Sequence, residues 1–214
     1  MILAFDTSGK DLHLGLFSIE GMSIGEFHHI AQPTERGVHD LLLAQKTKDL
    51  LDSNSISVAE ISRIGFINGP GSFTGLRIGL AFAKGMAFGS KSTLVPIILH
   101  RLLQEQVVRL YPDQTFEAIV TPGYEPSSVY YAPFDSPEEI ILRPVAEIID
   151  SLGIYQICGD PILQERFEAG AVQYKPVLFD LSMLAQMTAS STPLDSISTL
   201  EPFYGSDFKV ILKK

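Results

Sequence analysis

Short apolar runs alternate with turn signals over the first thirty residues of the chain. The runs cover residues 2–5, 12–17 and 24–30, and the second has the two-residue period of a half-buried strand. A Ser-Gly pair at 8–9 and a Glu-Gly pair at 20–21 separate the runs and are typical of turns. The pattern predicts three strands joined as an antiparallel meander.

Longer periods follow the meander. Helices are predicted at 37–52, 73–88 and 100–110, and strands at 61–67 and 93–97. Strands that alternate with helices in this way build a sheet of parallel strands joined by helical crossovers. The first part of the chain is therefore predicted to be an α/β unit.

The same order begins again near residue 111. The predicted elements are fewer and shorter than before: strands at 116–120, 128–134 and 154–158, and a helix at 161–168. The second half therefore resembles a shortened repetition of the first. We predict two subdomains, an N-terminal one at 1–110 that carries the longest helices and a reduced one at 111–214.

Two turns at strand ends are candidates for binding phosphate. One follows the first strand and holds an acidic residue and two hydroxyls, and the other links the strand at 61–67 to the helix at 73–88, whose first N–H groups could receive an anion. The second turn lacks the lysine of a P-loop and the spacing of a dinucleotide fingerprint. Turn formation and helix capping explain both turns equally well or better. The candidate phosphate-binding remnant consists of Asp6, Thr7, Ser8, Gly69, Gly71 and Ser72.

The helix at 73–88 is apolar on nearly every side. Small residues recur every fourth position at Gly75, Gly79 and two alanines, and Arg77 and Lys84 are its only charged side chains. A helix of this kind is buried on more than one face, so a second polypeptide or the helix at 37–52 must cover what the sheet does not. The predicted docking residues are His39, Leu42, Phe73, Leu76, Arg77, Leu80, Ala83 and Lys84.

Charge and composition exclude several classes of protein. The chain has 16 basic and 25 acidic side chains, a net charge of -9, and no basic stripe, which argues against autonomous binding of RNA or DNA. Its single cysteine, Cys158, cannot form an intramolecular disulfide. No signal peptide and no apolar run of membrane-spanning length are present, so we expect a cytoplasmic protein.

No catalytic set and no metal site emerge from the remaining polar residues. His28 and His29 are neighbours in a predicted strand and should point to opposite faces of the sheet. His100 and Gln104 share a helical face, but glutamine is a poor metal ligand. Cys158 is expected to be a buried, inert thiol.

Two stretches together, MILAFDTSGKDLHLGLFS at 1–18 and GFINGPGSFTGLRIGLAFAKGMAFG at 65–89, closely resemble the bacterial TsaB (YeaZ-type) family. The second half matches more loosely, at 129–132 and 158–160. The family makes threonylcarbamoyladenosine in tRNA. The resemblance implies a fold of the actin, hexokinase and heat-shock ATPase type, built from two ribonuclease-H-like subdomains.

The resemblance also implies a role as a non-catalytic subunit. It would bind and order TsaD, the related subunit that transfers the threonylcarbamoyl group, and would work with the ATPase TsaE. It would contact tRNA only indirectly, form homodimers through the same surface, and carry no cofactor of its own, with a nucleotide at the shared interface left open. The metal-binding histidine pair of the catalytic relatives falls near His100 and Gln104.

The chain departs from the family pattern in two places. Residues 121–124 replace an Asp-Ala-Arg-like segment, and residues 202–205 lack the arginine of a C-terminal Tyr-Leu-Arg. The main alternative function is a stand-alone ATPase or small-molecule kinase of the same fold, with the candidate turns gripping phosphates. The short second half argues against it, because that half must supply the other wall of a nucleotide cleft. A free-standing RNA-binding module is disfavoured by the acidic charge.

Overall fold

The structure, a computed structural model, describes residues 1–32, 34–35, 37–152, 156–170, 172–192, 194 and 198–205. Its strands are β1 Ile2–Asp6, β2 Leu12–Phe17, β3 Ser23–His29, β4 Arg63–Gly69, β5 Thr93–Ile98, β6 Ala118–Pro122, β7 Ser128–Pro133, β8 Ile141–Pro144, β9 Gln156–Gly159 and β10 Gln173–Pro176. Its α-helices are α1 Val38–Ser53, α2 Phe73–Ser90, α3 Leu99–Leu110, α4 Val145–Leu152, α5 Gln164–Glu168 and α6 Leu181–Ser190. Short 3-10 helices lie at Val58–Glu60 and Pro161–Leu163.

The chain divides into two compact units. The first consists of Met1–Leu102 and Asp180–Pro202, and the second of Leu103–Phe179 with the described residues from Phe203 onward. The predicted boundary at residue 110 is therefore wrong in two respects, since the division falls inside α3 and residues 180–202 return to the first unit.

The first unit contains a five-stranded mixed sheet in the order β3-β2-β1-β4-β5. β1, β2 and β3 form the predicted antiparallel meander, while β4 and β5 run parallel to β1. One face of the sheet packs against α1 and α2 through a core that includes Phe5, Leu14, Leu43 and Leu80. The order of elements in this half is as the sequence predicts.

The opposite face of this sheet is covered by α6, which explains why residues 180–202 belong to the first unit. Side chains alternate between faces along a strand, so Gly15 and Gly65 lie on the face opposite to the large apolar residues beside them. A Cβ at Gly15 would meet Leu181, and one at Gly65 would overlap Thr188. The two glycines thus let α6 approach the sheet closely.

The second unit repeats the strand order of the first. Its sheet runs β10-β9-β6-β7-β8, with an antiparallel meander from β6 to β8 and with β9 and β10 parallel to β6. The predicted reduction lies in the helices and not in the strand number. The helix between β4 and β5 has 18 residues, whereas α5, in the equivalent place between β9 and β10, has 5.

Several predicted elements differ in the second half. The predicted helix at 161–168 is a 3-10 turn followed by α5, and β9 begins at Gln156, with residues 154 and 155 of the predicted strand outside the described residues. Four elements have no predicted counterpart: β8, α4, β10 and α6. Among the described residues, no helix is both long and apolar enough to cross a membrane.

Candidate functional site

The turn after β4 brings the start of α2 against the turn after β1. The Ser72 side chain caps the helix by accepting a hydrogen bond from the Gly75 N–H at 3.2 Å, and the Ser72 N–H donates to the Ser8 carbonyl at 2.7 Å. The Thr7 hydroxyl donates to the Gly75 carbonyl at 2.9 Å. The two candidate turns are therefore joined to each other by hydrogen bonds.

The inner glycines of α2, Gly75 and Gly79, make this contact sterically feasible. A Cβ at Gly75 would overlap the Thr7 carbonyl oxygen, and one at Gly79 would overlap the Thr7 hydroxyl. The glycine at position 71 is needed for the same reason, because its Cβ would overlap the Ser8 carbonyl, and its φ of 158° is rare for other residues. The ridge of small residues predicted from the sequence thus faces the chain's own β1–β2 turn.

All six residues of the candidate phosphate-binding remnant lie in the two joined turns or at the last residue of the strand before each turn. Asp6 is buried and accepts the Ser8 N–H at 2.7 Å, and burial raises the pKa of its carboxyl above the ordinary value. The N–H groups of Ser8 and Ser72 and the Thr7 hydroxyl donate to other groups of these turns or of α2. This arrangement is that of turn-forming residues, and phosphate binding here remains an untested prediction.

The outer face of α2 is the arc of the helix that points away from the core. On it the structure exposes an aromatic residue near each end, with Phe73 at 42% and Phe88 at 89% relative exposure. The space above two glycines of this face is open: no atom lies within 4 Å of a Cβ built at Gly85, between the two aromatic residues, or at Gly89, next to Phe88. Thr74, Arg77 and Ala81 complete the exposed set. The Arg77 guanidinium lies 5.2 Å from the centre of the Phe73 ring, so the exposed charge of this face lies over an aromatic ring.

Half of the predicted docking residues are not available to a partner. Leu76, Leu80 and Ala83 are 2%, 7% and 0% exposed, because they lie on the face of α2 that packs on the sheet. His39 is also buried, and its Nε2 lies 3.1 Å from the Asp11 carbonyl oxygen. These four assignments were wrong as surface positions, since the sequence does not fix the rotation of an all-apolar helix about its axis.

The other four predicted docking residues keep some exposure. Phe73 and Arg77 are exposed, and Leu42 is half-buried against the core. Lys84 is half-buried, and its Nζ donates to the carbonyls of Leu200 at 2.8 Å and Ser198 at 3.4 Å, so it holds a later segment of its own chain. The predicted docking set lacks four exposed residues of the outer face: Ala81, Gly85, Phe88 and Gly89. Their spacing from Arg77 places them on this face once the inner glycines are known.

A shallow groove of about 340 Å³ lies between α1 and β3. It is lined by Phe27, His29, Glu35, Val38, Leu41, Leu42 and Lys46. Leu41 is 73% exposed, and the Lys46 ammonium lies 5.3 Å from the centre of the Phe27 ring. The first turns of α1 therefore add a second apolar area to the exposed surface of the first unit.

The remaining histidines and the cysteine match simple structural roles. His28 and His29 point to opposite faces as predicted, toward Glu26 and Glu35 respectively. His100 is fully buried, and the Gln104 amide donates to the Phe134 carbonyl at 2.6 Å. Burial raises the pKa of the Cys158 thiol to about 12, as expected for an inert cysteine. Within the described part of the chain, no group of three or more His, Cys, Asp or Glu side chains could hold a metal ion.

Comparison with known proteins agrees with this architecture. Residues 36–112 match a family described as TsaD, tRNA N6-adenosine threonylcarbamoyltransferase. The TsaB protein of Haemophilus influenzae is 31% identical over 96 residues, which cover 45% of this chain and 38% of that protein. The TsaB protein of Buchnera aphidicola subsp. Baizongia pistaciae is 33% identical over 131 residues, with coverage of 61% and 56%. The chain thus spans about half the length, or less, of these curated relatives.

The fold is that of solved YeaZ structures. YeaZ from Pseudomonas aeruginosa superposes with a TM-score of 0.63 at 20% identity and covers 88% of this chain and 89% of its own. A second solved protein, described as having similarity to peptidase YeaZ from Pseudomonas aeruginosa, superposes with a TM-score of 0.66 at 20% identity and covers 95% of this chain and 98% of its own. The resemblance to TsaB and YeaZ proteins is confirmed. The chain accordingly has the fold of these YeaZ structures, with two five-stranded sheets in two subdomains.

Proposed function

We propose that this TsaB/YeaZ-like chain is a non-catalytic subunit in the formation of threonylcarbamoyladenosine in tRNA, and that it docks a TsaD-like catalytic subunit through the outer face of α2. The observation that carries the proposal is the uncovered outer face itself. It combines exposed aromatic residues, Phe73 and Phe88, with glycines that have open space above them.

The outer face of α2 has the physical properties of a protein interface. Aromatic side chains are enriched among the residues that dominate binding energy, and small residues between them let another helix pack at short distance. Phe88, on this face, is 89% exposed, so its large apolar side chain lies in water unless a partner covers it. The nearby α1 groove would extend the contact toward the roughly 800 Å² per partner of a standard interface.

The groups that could have performed phosphate chemistry support a non-catalytic role. The Thr7 hydroxyl and the N–H groups of Ser8 and Ser72 already donate hydrogen bonds to acceptors within the chain. The 5-residue α5 leaves the second unit with a much smaller helix than α2 at the equivalent position, which disfavours the stand-alone ATPase or kinase.

The net charge of the chain supports indirect contact with tRNA. A chain with a net charge of -9 would be repelled by the phosphates of tRNA, so we expect the catalytic partner to bind the tRNA. We further propose a cytoplasmic complex that also includes a TsaE-like ATPase, and a homodimer through the outer face when the partner is absent. The chain is assigned no cofactor of its own, and nucleotide titration of the complex tests whether one binds where the partners meet.

The test mixes the chain with the TsaD-like protein of the same cell, measures mass by light scattering, and assays threonylcarbamoyl transfer to tRNA. Gly85→Arg places a long cation at the centre of the outer face, where the free chain has room for it. We expect this variant to fold normally, to lose the complex and to lose the dependent activity. Ile162→Arg, which adds the same charge at a 68% exposed site of the second unit, is the matched control.

Two results would contradict the proposal. An intact, fully active complex with Gly85→Arg would exclude the outer face of α2 as the docking surface. ATP turnover by the isolated chain, with no complex formed, would instead favour the kinase-like alternative and would make Asp6 the first residue to replace.

A further inference from the structure

Two histidines on neighbouring strands share one hydrogen bond. The Nδ1 atoms of His13 on β2 and His28 on β3 are 2.9 Å apart, and their rings meet edge to face with centroids 5.2 Å apart. The two residues are direct partners in the antiparallel register, and Asp6 is the partner of His13 on the other side. The strand pairing, and not a chance surface contact, therefore sets the distance between the rings.

A hydrogen bond between two imidazole nitrogens needs one proton and one lone pair. His28 Nε2 lies 3.1 Å from the Glu26 carboxylate, which can only accept, so this nitrogen carries a proton and Nδ1 of the neutral ring accepts. His13 Nδ1 is then the donor. The pair keeps its hydrogen bond when it is neutral or carries one positive charge, but a second added proton would occupy the acceptor lone pair and place two cations in contact.

The surroundings of the pair act on its protonation in both directions. Burial has the largest influence and lowers the pKa of His13, the nearby His28 lowers it further, and the Asp6 and Asp11 carboxylates raise it. Glu26 faces the other nitrogen of His28. The helix α6 packs on this side of the sheet and has no ionisable side chain from Leu181 to Ser190, although Asp180 caps its start. Within the described residues, the body of α6 therefore supplies no charged group to this face.

The pair is also connected to the start of α1. Asp11, two residues before His13, accepts the Ala31 N–H at 2.9 Å through its carboxylate, and its carbonyl oxygen is 3.1 Å from His39 Nε2 on α1. β3 is an edge strand with a neighbour on one side only, so the hydrogen bonds to β2 are what hold it in the sheet. Separation of β2 from β3 at the pair would loosen the Asp11–Ala31 contact and, through Asp11, the contact with His39.

We propose that the His13–His28 pair is a proton-sensitive latch that holds the β2–β3 edge and the first turn of α1 closed near neutral pH and lets them open in mild acid. Burial lowers the pKa of His13, so the folded state binds fewer protons at His13 than the unfolded chain does. Stability from the pair is therefore complete above the ordinary histidine pKa of about 6.5 and declines as the pH falls below it.

The test compares wild-type chain with His28→Gln by urea unfolding between about pH 5 and 8. A glutamine carbonyl can still accept from His13 but cannot take up a proton. Below about pH 6.5 the unfolding constant of wild type should rise relative to that of the variant, by at most about tenfold per pH unit for one proton. The ratio of the wild-type and variant unfolding constants is more informative than the pH dependence of wild type alone. Burial raises the pKa of Asp6, so protonation of that carboxyl stabilises the folded state as the pH falls and opposes the effect of the pair.

His29→Gln is the matched control. His29 is the next residue of β3, points to the other face and lies 3.0 Å from Glu35, with which its protonated form makes an ion pair. Its removal should leave the acid effect in place or increase it. Amide exchange along β3 and the first turn of α1 gives a local readout, which should quicken in acid in wild type relative to His28→Gln.

The imidazole NMR signals of unmodified protein keep the proposal testable if a variant fails to fold. The His13 signal should titrate at a lower pH than that of an ordinary histidine, whose pKa is about 6.5. A His13 titration at or above that pH, or an acid effect of unchanged size in His28→Gln, would overturn the latch.

Discussion

The glycines of α2 occupy two opposite environments on one helix. Gly75 and Gly79 face inward, where an added Cβ would overlap Thr7, whereas Gly85 and Gly89 face outward, where it would meet no atom within 4 Å. In an isolated chain the inner pair has a clear structural reason, close approach of the helix to the β1–β2 turn. The outer pair has none, and each glycine costs about 1 kcal/mol relative to alanine inside a helix.

This difference separates what folding requires from what binding requires. The inner glycines are explained by contacts within the first unit, so they carry no information about a partner. The outer glycines weaken the helix without improving any internal contact, which is the behaviour expected of positions kept small for a second polypeptide. Variants of the two faces should therefore change different measurable quantities.

The largest expected effect is on the inner side, at Leu80. Leu80→Asp would place a carboxylate in a site that is 7% exposed, within the cluster formed by Phe5, Leu14 and Leu43. An uncompensated buried charge costs about 3–5 kcal/mol, so we expect the first unit to unfold or nearly so. Urea denaturation measures the loss.

The neighbouring residue provides the control for this change. Ala81 is exposed, so Ala81→Asp should alter the free energy of unfolding by only about 0.5 kcal/mol while disturbing partner binding. Equal destabilisation by the two aspartates would contradict the assigned rotation of α2. Loss of a complex in Leu80→Asp would show only that the chain had unfolded.

A smaller loss is expected from Gly79→Ala. The new methyl group would overlap the Thr7 hydroxyl and approach the Phe5 ring, and overpacking of this kind costs about 1–3 kcal/mol. The gain in helix propensity offsets part of that cost. The loss of unfolding free energy caused by Gly79→Ala, measured in wild type and again in a Thr7→Ala background, shows whether the clash is the cause. Thr7→Ala removes the hydroxyl that the new methyl group would overlap, so an identical loss in both backgrounds would assign the cost to Phe5 or the backbone.

Binding should respond to Phe88→Ala without a change in stability. At 89% exposure the ring contributes almost nothing to the free chain, whereas its burial by a partner is worth about 1.5–3 kcal/mol. We expect the dissociation constant of the complex with a TsaD-like subunit to rise about tenfold or more. Titration calorimetry measures this change, and an unaltered constant would place Phe88 outside the interface.

Local pattern was sufficient to predict the first unit but not to orient it. The strands and helices up to residue 110 follow from period and turn signals within about two residues. The outward face of α2 could not be predicted from the sequence, because apolar residues surround the helix. Its rotation is set by the contacts of Gly75 and Gly79 with Thr7, which is distant from them in sequence. Tertiary packing, and not local propensity, makes that choice.

The elements missed in the second half had weak local signals. β8 and α4 run together without a turn, since β8 ends at Pro144 and α4 begins at Val145. The helix α6 has no charged residue to mark a solvated face, although Asp180 caps it by accepting from the N–H groups of Ser182 and Met183. That it covers the sheet of the first unit could have been suspected only from Gly15 and Gly65, strand glycines that favour close approach of another element.

The smallest expected effect gives the most direct test of the contrast between the two faces. Gly85→Ala adds one methyl group where no atom lies within 4 Å, so it should stabilise the free chain by about 0.5–1 kcal/mol through helix propensity alone. If the outer face docks a closely packed helix, the same methyl group should weaken the complex. Stability by urea denaturation and affinity by calorimetry would then move in opposite directions. Gly9, an exposed glycine whose Cβ would meet only Asp11 at 3.9 Å, supplies the control substitution outside the face. A variant at Gly85 that is both more stable and equally tight in binding would mean that the outer glycines are not kept small for this partner.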